Sequence, residues 1–122
     1  MQYMIFHYSD ETAHADIEPG TPEFAEMMGK WMALNQSLIE AGHFVGGASL
    51  VDSSAATMLT KQTDGGESIT DGPYADTKEQ IGGFYIVDVP DLDTALEIAR
   101  RIPIPVGRFE IRPVAFNPST DL

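Results

Sequence analysis

Residues 81–89, Ile-Gly-Gly-Phe-Tyr-Ile-Val-Asp-Val, carry apolar side chains on both faces of an extended chain. A segment of that kind is stable only with neighbouring strands on its edges and cover on its faces, so it predicts a central strand of a sheet. Its Gly82-Gly83 pair predicts a bulge, or the close approach of another group to the backbone.

The rest of the chain supplies the neighbours. Residues 2–8 read as a strand rich in aromatic and branched side chains, running from Tyr3 to Tyr8 and followed by the polar loop Ser9-Asp10-Glu11-Thr12. A helix starts with Thr21 as N-cap, Pro22 at its first position and Glu23 and Glu26 in its first turn. Phe24, Met28, Trp31, Asn35 and Leu38 then recur at spacings of four, three, four and three, with Met27 and Leu34 beside them, and the helix stops at Gly42. Met and Trp at helical spacing belong to a core, and Trp31 is read as packing. Short strands follow at 43–50, with Gly46-Gly47, and at 56–62 and 67–70, the last two joined as a hairpin by Asp64-Gly65-Gly66. After the central strand, Asp91 caps a helix with Leu92, Ala95, Leu96, Ala99 and Ile102 on one face, ended by Pro103. A final strand, 108–115, alternates Phe109, Ile111 and Pro113 against Glu110 and Arg112.

This order predicts an α+β domain over residues 1–116 with a polar tail at 117–122: a ferredoxin-like βαββαβ arrangement with an inserted β-hairpin. Two helices cover only one face of such a sheet. Phe6, Tyr8, Phe84 and Ile86 call for cover on the other, and a second copy of the chain is the economical one, giving a homodimer joined sheet to sheet.

The 122 residues, 43% hydrophobic and 21% charged, suffice for one core, and the absence of cysteine excludes disulfides, thiolate nucleophiles and cysteine-ligated metals. The N-terminal stretch lacks a basic n-region and no run approaches membrane-spanning length, so the expected location is the cytoplasm, away from membranes. Nineteen acidic against seven basic residues, a net charge of -12, set up a field that repels phosphate backbones and anionic lipid, so no nucleic-acid partner is expected. Four of the seven basic residues (Arg100, Arg101, Arg108, Arg112) lie in the last 23 positions, where a small anionic ligand could be held. The glycine pairs match no phosphate-binding loop, no GxSxG elbow exists, and His7, His14 and His43 have no metal-ligand spacing, so neither metal nor cofactor is expected.

Residues 70–80, Thr-Asp-Gly-Pro-Tyr-Ala-Asp-Thr-Lys-Glu-Gln, form a connection longer than a hairpin needs. Asp71, Tyr74, Asp76, Lys78 and Glu79 crowd proton-transfer and anion-binding groups into nine positions. The plain alternative is an Asp-Gly-Pro turn in which Asp71 bonds its own downstream backbone while Lys78 and Glu79 stay solvated.

The run DGPYADTKEQIGGFYIVDV resembles the signature of the YCII-related proteins of the DGPF type, and YMIFHYSDE, ALNQSLIEAGHFVGGASL, VPDLDTALEIARRIP and FEIRPV resemble that family's blocks in the same order. Tyr74 stands for the usual Phe and Asp76 for the usual Glu. The resemblance implies a ferredoxin-like fold forming a dimeric α/β barrel. It also implies a kinship with enzymes that act on muconolactone-type rings through a histidine and an acid; Asp71 is the position matched to that acid, and no histidine of this chain stands in the matching block. Proteins of this type are also commonly encoded beside extracytoplasmic-function sigma factors, an association that implies signalling.

Two readings follow. In the first, Asp71, partly buried at a pocket mouth between sheet and loop, is a general acid or base acting on a lactone or enol acid. Lys78 or Arg112 then holds an oxyanion, with Glu79 beside them and His7, Tyr8 and Tyr74 on the wall. Alternation along the strand puts His7 and Tyr8 on opposite faces, against their sharing one pocket. In the second, the protein is a non-catalytic binding or regulatory module that holds a small ligand or docks in a sigma-factor system.

Overall fold

The computed structural model describes residues 1–14, 18–75 and 77–122, the side chains of Ala13 and His14 excepted. The chain runs through β1 (Gln2–Asp10), α1 (Pro22–Glu40), β2 (Phe44–Ser49), β3 (Thr57–Lys61), β4 (Glu67–Asp71), β5 (Glu79–Asp88), α2 (Leu92–Arg101), β6 (Arg108–Pro113) and the short α3 (Pro118–Asp121). Four strands make one antiparallel sheet in the order β2-β5-β1-β6, and β3 pairs with β4 alone. The fold is therefore α+β. The four-stranded sheet is open, with β2 and β6 as its edges, and the single chain closes no barrel.

β5, the expected central strand, lies between β2 and β1, and β1 lies between β5 and β6. Along β1 burial alternates: Tyr3, Ile5 and His7 are buried, while Met4, Phe6 and Tyr8 are half-buried on the other face. On β5 Tyr85 and Val87 join the buried set, and Phe84 and Ile86 join the opposite one.

The helices form where their termini are satisfied. The Thr21 hydroxyl accepts a hydrogen bond from the Phe24 N–H at 3.2 Å, Pro22 follows as the first helical residue, and Gly42 takes a left-handed φ of 73° just beyond the end of α1. The Asp91 carboxylate accepts from the Thr94 N–H at 2.8 Å to start α2. Leu34 and Leu38 of α1, with Ala95, Ile98 and Ala99 of α2 and the adjoining Ile102, close over Tyr3, Ile5, Tyr85 and Val87. Each large apolar side chain fully enclosed there contributes roughly 1.5–3 kcal/mol. Leu92, assigned by spacing to the inner face, is exposed, and Ile98 is buried instead, because the buried stripe runs through Ala95, Ile98, Ala99 and Ile102 and turns Leu92 away from the sheet. The Arg101 guanidinium donates to the Ser37 hydroxyl and ties α2 to α1.

The residues after β6 do not form a free tail. Asn117 accepts from the Ser119 N–H at 3.0 Å to begin α3, and its amide donates to the Gln2 side chain at 2.9 Å. On the face opposite the helices, Met4, Phe6, Phe84 and Ile86 form an apolar surface that no helix covers among the described residues. No helix among them is long and apolar enough to cross a membrane.

Candidate functional site

The β1–β5 register runs residue for residue from Gln2↔Asp88 to His7↔Gly83 and resumes at Tyr8↔Ile81, leaving Gly82 as the extra residue of a bulge. The imidazole of His7 lies against this bulge. A Cβ built on Gly83 would stand 2.7 Å from His7 Nε2 and 2.6 Å from the Ala48 carbonyl oxygen, and one on Gly82 would stand 3.0 Å from His7 Cε1. Any side chain at either position would contest the space of the ring, so the glycine pair forms a shelf for it. Trp31 of α1 closes the other side, its ring centroid 5.6 Å from that of His7 at an interplanar angle of 46°.

His7 is thus 6% exposed, and its Nδ1 has no hydrogen-bond partner among the described residues. Burial lowers its pKa below the ordinary 6.5, since removing water disfavours the charged ring. The imidazole is neutral near pH 7.

Tyr85 builds the next part of the wall. Its ring stacks near Trp31, with centroids 6.3 Å apart, and meets Phe44 edge-on at 6.4 Å. Its hydroxyl donates to Asn35 Oδ1. Burial raises the Tyr85 pKa, so the hydroxyl keeps its proton.

These groups border a cavity of about 690 Å³ between α1 and the sheet, with Met27, Met28, Trp31 and Asn35 on the helix side and His7, Phe44 and Tyr85 on the sheet side. Its walls continue to Glu11, Leu50, Val51 and Asp52. Glu11 accepts from the Ser53 N–H and hydroxyl, both at 2.9 Å, and Asp52 from the Ser54 N–H at 3.1 Å. Volume and lining suit a small organic molecule, with an apolar body against the aromatic rings and polar atoms near His7. Among the described residues no group of three or more His, Asp and Glu side chains gathers as metal ligands would.

The seven residues singled out by sequence separate into three places. His7 alone is at the cavity. Tyr8 and Arg112 stand on the opposite face of the sheet, as strand alternation requires; the Tyr8 hydroxyl donates to Glu110 Oε1 at 3.1 Å and Arg112 lies across from Met4. Burial, followed by the bond to Glu110 and its charge, raises the Tyr8 pKa, and Arg112 works against that rise.

Asp71, Tyr74, Lys78 and Glu79 belong to the segment around the β4–β5 connection. Asp71 ends β4 opposite Thr57 and is exposed, away from the cavity wall. The partly buried position expected for it is not the one observed: β3 and β4 bond to each other rather than to the main sheet, and every residue of β4 is exposed. Tyr74 is 91% exposed. Lys78 is exposed near Asp10, whose pKa is lowered first by the Thr12 hydroxyl and N–H and, to a lesser degree, by Lys78. Glu79 opens β5 and pairs with Arg108 at 3.2 Å. Asp76 lies outside the described residues.

Three residues that the sequence did not single out for the site matter here. Gln80 donates from its buried amide to the carbonyls of Ala75 at 2.7 Å and Thr77 at 2.8 Å, which clamps the connection to β5. Asn35 and Tyr85 complete the cavity wall; a lone amide in the apolar stripe of a helix was the available signal for Asn35. Trp31 packs against the core as read, and also lines the cavity.

An uncharacterized protein of Rhizobium meliloti (strain 1021) is similar to this chain at 35% identity over 118 residues, which cover 94% of this chain and 93% of that protein. Residues 1–116 match the model of the YCII-related domain. With the match spanning the sheet, both packed helices and the cavity between them, the chain belongs to the YCII-related family.

Proposed function

We propose that this protein binds a compact, ring-bearing small molecule in the cavity between α1 and the sheet, with His7 engaging a polar atom of the ligand. The observation that carries the reading is the buried His7 Nδ1 without a partner beside a cavity of about 690 Å³. A buried polar nitrogen left unpaired costs roughly 1–3 kcal/mol, a cost that a ligand hydrogen bond would offset. Trp31, Tyr85 and Phe44 supply the stacking walls.

A neutral imidazole can also accept a proton, so acid–base chemistry at this cavity would run through His7. Asp71 is exposed and off the cavity wall, which favours ligand binding over a general acid or base at Asp71 in the single chain.

The test is an NMR fragment screen with ring-bearing compounds. Hits should shift the His7 Cε1–H and Trp31 indole resonances together. Hits that move the signals of residues 71–79 and leave His7 and Trp31 unchanged would refute the cavity as the site.

A homodimer is the second part of the reading. The apolar face of Met4, Phe6, Phe84 and Ile86 and the strand order β2-β5-β1-β6 support a ferredoxin-like protomer whose sheet packs on that of a second copy to complete an α/β barrel. Light scattering should report twice the chain mass at micromolar concentration, and a monomer for Phe6→Asp; a monomeric wild type refutes it.

A further inference from the structure

The charges around the cavity narrow the ligand further, on the premise that the cavity is the binding site. His7 and Tyr85 are uncharged near neutral pH. The remaining acids and bases on the wall are Glu11 and Asp52, and among the described residues no Lys or Arg lines it. Arg108 and Arg112 lie on β6, Arg100 and Arg101 on α2, away from this lining.

Both carboxylates are held in place. Glu11 uses its two oxygens to bind the Ser53 N–H and hydroxyl, and Asp52 binds the Ser54 N–H through one oxygen. The Ser54 N–H holds the Asp52 carboxyl below the usual carboxylate range. The charge at this end of the cavity is therefore negative across the neutral range, and the net -12 of the chain adds a field of the same sign. Carboxylates alone would define no site. The unpartnered, 6% exposed His7 on the same cavity supplies the independent sign of a ligand.

We infer that the cavity selects a ligand with an apolar, ring-bearing body and a cationic amine, and discriminates against carboxylates. The aromatic walls take the body, and the amine turns toward Glu11 and Asp52. This opposes the anionic ligand expected from the C-terminal arginines, which do not reach the cavity wall.

Trp31 is the chain's single tryptophan and stands in the wall, so its fluorescence reports occupancy directly. Three probes of one shape separate the possibilities: 3-phenylpropylamine, 3-phenylpropan-1-ol and 3-phenylpropionate, each titrated near pH 7.5. The amine should bind at least about fivefold more tightly than the alcohol, and the carboxylate more weakly than either. Asp52→Asn keeps the oxygen that accepts from Ser54 and should bring amine and alcohol within about twofold. Glu11→Gln should narrow the ratio in the same direction, and Glu67→Gln, which removes a charge from the distant hairpin, should leave it unchanged.

Equal binding of the three probes, or tighter binding of the carboxylate, overturns the charge inference while the cavity reading stands. An amine preference untouched by both Asp52→Asn and Glu11→Gln overturns it as well. If none of the probes perturbs Trp31, the cavity reading falls and the charge inference falls with it.

Discussion

Replacing Gly83 with alanine tests the shelf on which His7 lies. The added Cβ would stand 2.6 Å from the Ala48 carbonyl oxygen, 2.7 Å from His7 Nε2 and 3.1 Å from Ser49 Cα. Two of these atoms are backbone of the neighbouring strand and cannot swing aside. Overpacking of this kind costs about 2–3 kcal/mol, and the loss of glycine's freedom in the unfolded chain returns about 0.5–1, leaving a net loss of about 1–2.5 kcal/mol. At Gly82 the nearest atoms, at 3.0 and 3.1 Å, all belong to His7. Gly82→Ala should therefore cost less than about 1 kcal/mol, and nothing once the imidazole is removed. Urea unfolding followed by circular dichroism, in His7 and His7→Ala backgrounds, reads the coupling. Both glycine substitutions should be milder in the His7→Ala background, by about 1 kcal/mol for Gly83→Ala, which retains its clash with Ala48. Identical costs in the two backgrounds would show that the ring does not occupy this space.

The lowered pKa of His7 sets a pH dependence. As pH falls through 6.5 the unfolded chain takes up a proton that folded His7 resists, so stability declines from there down to the folded value and the loss is then complete. The urea midpoint of His7→Gln, measured between about pH 7 and pH 5, should fall less than that of the wild type; parallel curves would count against a buried neutral His7. Gln80→Ala removes the donor to the carbonyls of Ala75 and Thr77 and should cost about 1–2 kcal/mol while speeding limited proteolysis within residues 72–78. Unchanged cleavage there would mean that Gln80 does not hold the connection.

Local rules made much of this architecture legible. Thr21 and Pro22 marked the start of α1 because a hydroxyl cap and a proline without an N–H satisfy the same terminus. Asp64-Gly65-Gly66 placed the β3–β4 turn, where Gly65 adopts a φ of 88°. Gly82-Gly83 pointed to a bulge or a close approach, and the structure has both. What the pair could not announce was the approaching group, because the contact joins positions most of the chain apart. The same limit hid the cavity: His7, Trp31 and Tyr85 sit on three elements, and only their packing brings them together. The polar connection is shorter than its composition suggests, since Glu79 and Gln80 carry strand pairs with Asp10 and Ser9 despite their polarity. Its density of functional side chains points to Asp71, whereas the buried group without a partner is a single histidine in an apolar strand.

The position of β1 between β5 and β6 has a consequence for synthesis. Both of its hydrogen-bonding neighbours are encoded far downstream, so when β1 leaves the ribosome it has no edge to join. Residues 2–71 can form α1 and the β3–β4 hairpin by local contacts, but β1, with Tyr3, Ile5 and His7 on one face and Met4 and Phe6 on the other, stays unpaired until β5 has emerged. The first strand of this domain is among the last to be secured, and the interval before β5 arrives is when it is most open to wrong partners.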